Sequence, residues 1–208
     1  MATVPDGFAD LFGASPLSGL TSMPDIVSLV EEAALIDRID GTGLSPFRFQ
    51  GWLGKRLTIS YGSGYDFDVG KLAVAEPIPA WLEPLRERAA RFAGLALEDL
   101  TQVLLIRYDP GAGIGWHRDR PFYEHVIGIS LGAPATMRFR RRSSKGFERV
   151  SVPLAPRAAY HLSGQARHDW EHSIAEMTVT RWSITFRSLS AVGLEALRRA
   201  SIKASEQP

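Results

Sequence analysis

Val103-Leu-Leu-Ile-Arg-Tyr-Asp-Pro-Gly-Ala-Gly-Ile-Gly-Trp-His-Arg-Asp119 is where this chain changes character. Its first six residues form an apolar run with strand propensity, Asp109-Pro-Gly111 is a turn signal, and the glycines that follow let the backbone bend tightly before His117. Downstream, similar β-rich runs recur at 125–131, 136–142, 148–153, 158–162 and 182–186. Gly132-Ala-Pro134 and Ser143-Ser-Lys-Gly146 punctuate them as turns. Short strands separated by turns favour a double-sheet jelly roll, a double-stranded β-helix, over a doubly wound parallel sheet.

Upstream the pattern is helical. Pro24-Asp25 is expected to open a helix, with Ile26, Leu29, Val30, Ala33 and Ala34 on the face turned to the core. A second helix is expected over 79–92, with Leu82, Leu85, Ala89 and Phe92 on its apolar side. Helices first and sheet afterwards give an α+β layout. Residues 1–24 are rich in Gly, Ser and Pro and are expected to form an N-terminal arm, 25–200 a single domain, and 201–208 a polar tail.

The chain has 208 residues, of which 45% are hydrophobic, enough for one domain with a sizeable core. It has no cysteine, which excludes disulfides, thiolate zinc sites, iron–sulfur clusters and cysteine nucleophiles. A net charge of +1 neither requires nor excludes a polyanionic partner. No apolar run approaches the roughly 20 residues that cross a bilayer, so the expectation is a cytoplasmic monomer without a membrane partner. Gly111 to Gly115 is not followed by Lys-Ser/Thr, and no Gly-x-Ser-x-Gly elbow is present. P-loop and serine-hydrolase chemistry are therefore unsupported.

In an extended segment His117 and Asp119 point to the same side, as two ligands of one metal must. A third ligand has to come from elsewhere among the five histidines, and His172 is the best candidate because it begins a β-like run ahead of Arg181 and Arg187. His125, His161 and His168 are weaker candidates, since single histidines in a β protein are usually satisfied core or surface residues. Two histidines and a carboxylate can cap one face of an octahedral ferrous ion, leaving the other open. Manganese, cobalt or nickel would fit the same donors. The arginine pair suits a dicarboxylate co-substrate, because a guanidinium fork matches a carboxylate bidentately and keeps its charge when buried.

Four pieces together resemble the AlkB family of Fe(II)- and 2-oxoglutarate-dependent dioxygenases: Arg56-Leu-Thr-Ile-Ser-Tyr-Gly62 with Tyr65; Arg107-Tyr-Asp-Pro-Gly111 leading to His117-Arg-Asp119; Val126-Ile-Gly-Ile-Ser-Leu-Gly132; and Trp170-Glu-His172 with Arg181-Trp-Ser-Ile-Thr-Phe-Arg187. The resemblance implies that His117, Asp119 and His172 hold Fe(2+), and that Arg181 meets the distal carboxylate of 2-oxoglutarate. It further implies that Tyr108, Ser183 and Arg187 complete the co-substrate site and that O2 is the oxidant. Tyr108 as an ordinary barrel aromatic and Arg187 as a strand-end cation remain open at this stage.

Three positions depart from the family's best-known members. Ile106 and Ser183 stand where those carry asparagine, removing two amide contacts worth about 1 kcal/mol each. Pro121 stands where some repair members carry an acidic residue that contacts the damaged base.

The implied reaction is oxidative removal of alkyl groups from nucleic-acid bases, DNA or RNA. Residues 45–75 correspond to the family's nucleotide-recognition lid, and Arg48, Trp52, Arg56, Tyr61 and Tyr65 there are the candidate substrate contacts, aromatics for a base and cations for phosphates. Arg138-Phe-Arg-Arg-Arg142 with Lys145 is the strongest local positive cluster; it suits either a nucleic-acid backbone or a solvated hairpin. Two alternatives stand beside this reading: an oxygenase of protein side chains or a small metabolite, and a non-catalytic module that keeps its metal.

Overall fold

The computed structural model describes residues 17–49, 52–66, 71–74 and 76–205. Strands run in the order β1 (Leu20–Met23), β2 (Ser45–Phe49), β3 (Trp52–Asp66), β4 (Lys71–Val74), β5 (Gln102–Tyr108), β6 (Ile114–His117), β7 (Tyr123–Gly132), β8 (Ala135–Ser143), β9 (Gly146–Leu154), β10 (Ala159–Leu162), β11 (Glu171–Ile174) and β12 (Arg181–Leu189). The helices are α1 (Leu29–Asp40), α2 (Glu83–Ala93), the single turn α3 (Gly164–His168) and α4 (Ala191–Ser205).

Two antiparallel sheets face each other. The major sheet has the order β1-β10-β7-β12-β5-β3-β2, with β4 added on β3; the minor sheet has the order β6-β11-β8-β9. This is the jelly roll expected from the strand pattern, and all five predicted runs after β5, like β5 itself, are strands. The two sheets differ in patterning. Strands β7 and β12 are buried along most of their length because the major sheet is covered on both sides. One side carries Val103, Leu105, Ile129, Ile184 and Phe186 against Leu35, Ile39, Leu85 and Ala89 of α1 and α2. The other side turns Val126, Tyr160 and Leu162 toward Met137, Phe139 and Ile174 of the minor sheet. By contrast β8 alternates, with Met137 and Phe139 buried and Arg138, Arg140 and Arg142 on the outer face.

Four expectations change. The first helix starts at Leu29, because Ser28 caps it in a reciprocal box with Glu31. Its buried stripe is Glu32, Leu35 and Ile39, whereas Leu29 and Val30 are exposed; the apolar spacing had been phased on Ile26, which is buried ahead of the helix. The arm is partly docked: Leu17 and Leu20 are buried, and β1 pairs with β10 as an edge strand. Residues 45–75 are more than a lid, since the middle of β3 is an integral strand against β5. The backbone beyond Arg199 continues as α4 to Ser205, so the tail is shorter than expected. Among the described residues, no helix is long and apolar enough to cross a membrane.

Candidate active site

Glycine sets up the approach to His117. Gly111 has φ +82° and donates its N–H to the Met177 carbonyl at 2.7 Å, while a Cβ on Gly113 would lie 2.9 Å from the Ile174 carbonyl oxygen. The segment can therefore close against β11, where β6 pairs with His117 opposite His172. The two imidazole centres are 4.3 Å apart, and His172 Nε2 is 3.7 Å from Asp119 Oδ2. Thus the three residues singled out in the sequence converge.

Two ligands about 2.1 Å from one ion and at right angles lie about 3 Å apart. The observed 3.7 Å between His172 and Asp119 is slightly wider, and among the described residues no three His, Asp or Glu side chains already enclose an ion-sized point. Closing the gap between His172 and Asp119 to that spacing takes about 0.7 Å at side-chain ends, within rotamer adjustment. The donor chemistry fits a ferrous ion. His117 Nδ1 lies 2.9 Å from the Gly115 carbonyl, which fixes the proton on Nδ1 and leaves Nε2 as the donor atom.

Protonation points the same way. Burial lowers His172 to about 3, with His117 adding to the effect and Asp119 opposing it. Burial also lowers His117, outweighing Asp119. For Asp119 burial acts upward, but Arg187, His172 and His117 outweigh it and hold the carboxyl below its ordinary range. Two neutral imidazoles and one carboxylate are the forms that bind a metal.

Arg187 donates from Nε and Nη2 to Asp119 Oδ1 at 3.0 and 2.9 Å, and from Nη1 to Gln102 Oε1 at 3.0 Å. The structure therefore places Arg187 on the carboxylate itself, as a positioning residue and not a free strand-end cation. Behind Asp119, the buried Arg167 donates from Nη2 to the carbonyls of Arg120 and Tyr123 and so pins the loop after the carboxylate.

Arg181 lies deeper, fully buried on the wall between the sheets. Its Nε and Nη2 donate to Ser130 Oγ at 3.3 and 3.1 Å, the Tyr108 ring lies 5.3 Å from its guanidinium carbon, and Nη1 has no hydrogen-bond partner. A buried guanidinium without a carboxylate is costly, and the arrangement is suited to receiving an anion. Ser183 is buried beside it, paired across the sheet with Ser130. Ile106 belongs to an apolar cluster with Tyr108 and Ala112, so the lost amide is replaced by packing. Tyr160 was not anticipated. It is buried opposite Gly128, where a Cβ would fall 2.2 Å from Tyr160 Cζ, and burial pushes its phenol up to about 12 despite Arg181.

The proposed substrate residues divide. Arg56 stacks on Phe47 at 3.9 Å and is electrostatically coupled to Tyr108 and Arg187, at the edge of the site. Tyr61 is a correction: it packs in the core beneath α1 and α2, because five residues along a strand place it on the face opposite Arg56. Arg48, Trp52 and Tyr65 lie in β2 and β3, but their side chains fall outside the described residues. Ser130, Gln102, Tyr160 and Arg167 escaped sequence reasoning because each is defined by cross-strand register or by burial.

Residues 48–187 match the family model described as the 2OG-Fe(II) oxygenase superfamily. The chain belongs to that superfamily. Membership implies Fe(2+) as cofactor with 2-oxoglutarate and O2 as co-substrates, and the chain resembles AlkB-like relatives. It is 29% identical to the Arabidopsis thaliana "Alkylated DNA repair protein ALKBH8 homolog", over 76% of this chain and 51% of that protein. It is 31% identical to the Xenopus tropicalis "tRNA (carboxymethyluridine(34)-5-O)-methyltransferase alkbh8", over 75% of this chain and 25% of that protein. The oxygenase thus spans about half or less of these relatives. In fold it is similar to OsALKBH1, with a TM-score of 0.59 at 16% identity, covering 84% of this chain and 99% of the other.

Proposed function

We propose that this oxygenase removes alkyl groups oxidatively from bases in nucleic acid, with His117, Asp119 and His172 as the iron ligands. The observation that carries the co-substrate half is Arg181, a wholly buried guanidinium with Nη1 unsatisfied and no carboxylate partner among the described residues. The distal carboxylate of 2-oxoglutarate would supply that partner, with Ser130 holding the fork and Tyr108 and Ser183 beside it. With iron and 2-oxoglutarate bound, the site supplies oxidation of a substrate C–H bond coupled to decarboxylation of the keto acid; a hydroxylated N-methyl group then leaves as formaldehyde.

The chain's own contribution is positioning and charge. Arg187 and Gln102 orient Asp119, while Gly115 sets the His117 tautomer. Arg56 stands at the edge as a cation for a phosphate or a base. The nucleic-acid substrate is supported by the likeness to relatives named for alkylated-DNA repair and for tRNA modification. Pro121, whose carbonyl accepts from Ser190 Oγ at 2.7 Å, offers no acidic base contact, so the adduct preference differs from repair members that have one. DNA repair, demethylation and a cytoplasmic setting belong to the same proposal.

Anaerobic reconstitution with iron and 2-oxoglutarate, followed by oxygen and a panel of methylated DNA and RNA oligonucleotides, tests it. Succinate and formaldehyde are expected in equal amounts with loss of the mark. Succinate without loss of any mark would refute the nucleic-acid substrate.

A further inference from the structure

The minor sheet turns one face to solvent, on which Arg142, Phe147, Arg149 and Ser151 are exposed. Strand register assembles a lattice there: Trp116 from β6, Arg138, Arg140 and Arg142 from β8, and Phe147 and Arg149 from β9. Arg142 pairs with Phe147 and Arg140 with Arg149. The Arg140 guanidinium lies 4.5 Å from the Trp116 ring centre and 4.8 Å from that of Phe147, and Arg138 lies 5.4 Å from Trp116. Arg142 and Arg149 flank Phe147 at 5.9 and 5.6 Å.

Two features set this face apart from a solvated hairpin. Like charges directly opposite in a sheet repel, yet Arg140 and Arg149 are cross-strand partners. Compensation is also incomplete: Arg140 pairs with Glu171, but among the described residues Arg138, Arg142 and Arg149 have no carboxylate partner. Phe147 is kept 37% exposed among these cations, where burial would otherwise be favourable. Alternating guanidinium and aromatic planes on an open sheet match a polyanion whose bases are free to stack.

We propose that this face is a docking track for single-stranded nucleic acid, with phosphates on Arg138, Arg142 and Arg149 and bases stacked on Phe147 and Trp116. Trp116 and His117 are successive residues of β6 and point to opposite faces, so the track ends at the sheet edge that carries the active site. From β6 to β9 is three strand spacings, about 14 Å, the span of about four phosphates at duplex spacing. A trinucleotide held at His117 lies on the opposite face of the minor sheet from Trp116 and is expected to make little use of the track. The inference rests on the nucleic-acid reading above and extends it to strand delivery.

Fluorescence anisotropy of a labelled, unmodified 15-nucleotide single strand tests it on the full chain, beside turnover of a methylated trinucleotide. The R142E/R149E variant is expected to bind the 15-mer at least tenfold more weakly, with a log K against log salt slope reduced by about 1.4, about 0.7 for each phosphate contact. Phe147→Ala should weaken binding about tenfold with the slope unchanged. Thermal unfolding and trinucleotide turnover should match the parent in both. Parental 15-mer affinity in R142E/R149E overturns the track, as does equal competition by polyglutamate, which has charge but no bases. Trinucleotide turnover with no tighter binding of the 15-mer overturns the track and leaves the dealkylase reading standing. Arginine-dependent 15-mer binding without turnover of any methylated base does the reverse.

Discussion

At the scale of single residues, the site depends on two arginines that share a strand face but have different duties. Arg187 spends its fork on Asp119 and Gln102, whereas Arg181 is buried over Tyr108 with Nη1 open. Arg181→Lys keeps the charge but loses the planar fork and the paired contacts to Ser130. The 2-oxoglutarate requirement should rise by tenfold or more, with turnover at saturation changing less; titrating 2-oxoglutarate against succinate formation measures the split, and an unchanged requirement would remove Arg181 from the co-substrate site. His172→Ala deletes one of three converging donors. Calorimetry should show iron binding lost together with turnover, and full activity in that variant would rule out the ligand assignment. The convergence of His117, Asp119 and His172 was legible in the sequence because a spacing of two and motif order both survive in one dimension. Ser130 and Gln102 were not, since their roles come from the pairing of β12 with β7 and β5.

At the scale of elements, α1 shows why helix faces are harder to phase than strand faces. Its apolar residues fit more than one stripe, and a carboxylate decides between them: Glu32 is buried, accepting the Gly132 N–H at 2.8 Å and pairing with Arg157 at 3.4 Å. Glu32→Ala leaves the Gly132 amide without its acceptor and Arg157 with Asp25 alone, and should cost about 2 kcal/mol in urea unfolding; a change within 0.5 kcal/mol would mean that the helix is held by Leu35 and Ile39 alone. Strand β10 holds a second polar device. His161 Nε2 is 3.0 Å from His125 Nδ1, and burial, with His125, lowers His161 from 6.5 to about 4. The folded state then binds fewer protons than the unfolded state between those values, so stability is full above about pH 6.5 and falls as pH drops toward 4. Between pH 7 and 5 the parent should lose about 2 kcal/mol more than His161→Gln in urea midpoint experiments. Equal losses would show that His161 is not the titrating group.

At the scale of the whole molecule, the jelly roll was readable because turn-punctuated strands leave few alternatives, but the division of labour between its sheets was not. Burial on both faces makes the major sheet the scaffold, and its inner wall supplies Arg181, Ser183 and Arg187. Two of the proposed iron ligands, by contrast, come from β6 and β11 of the one-sided minor sheet, and Asp119 from the loop that leads back to β7. An ion held by these residues would link the minor sheet to the scaffold, because Asp119 is already tied to Arg187. Ligand binding to the folded state alone stabilises it by RT ln(1 + [L]/Kd), about 4 kcal/mol at a thousandfold excess over Kd. Anaerobic loading with ferrous iron, or with manganese as a redox-silent substitute, should therefore raise the melting temperature by several degrees. Amide exchange should slow in β6 and β11 more than in β5 and β7, because β6 and the start of β11 are only partly buried whereas most of β5 and β7 is buried. A chelator should reverse both effects, and Asp119→Ala should abolish them. Uniform protection of both sheets, or protection that survives in Asp119→Ala, would place the metal elsewhere in the fold.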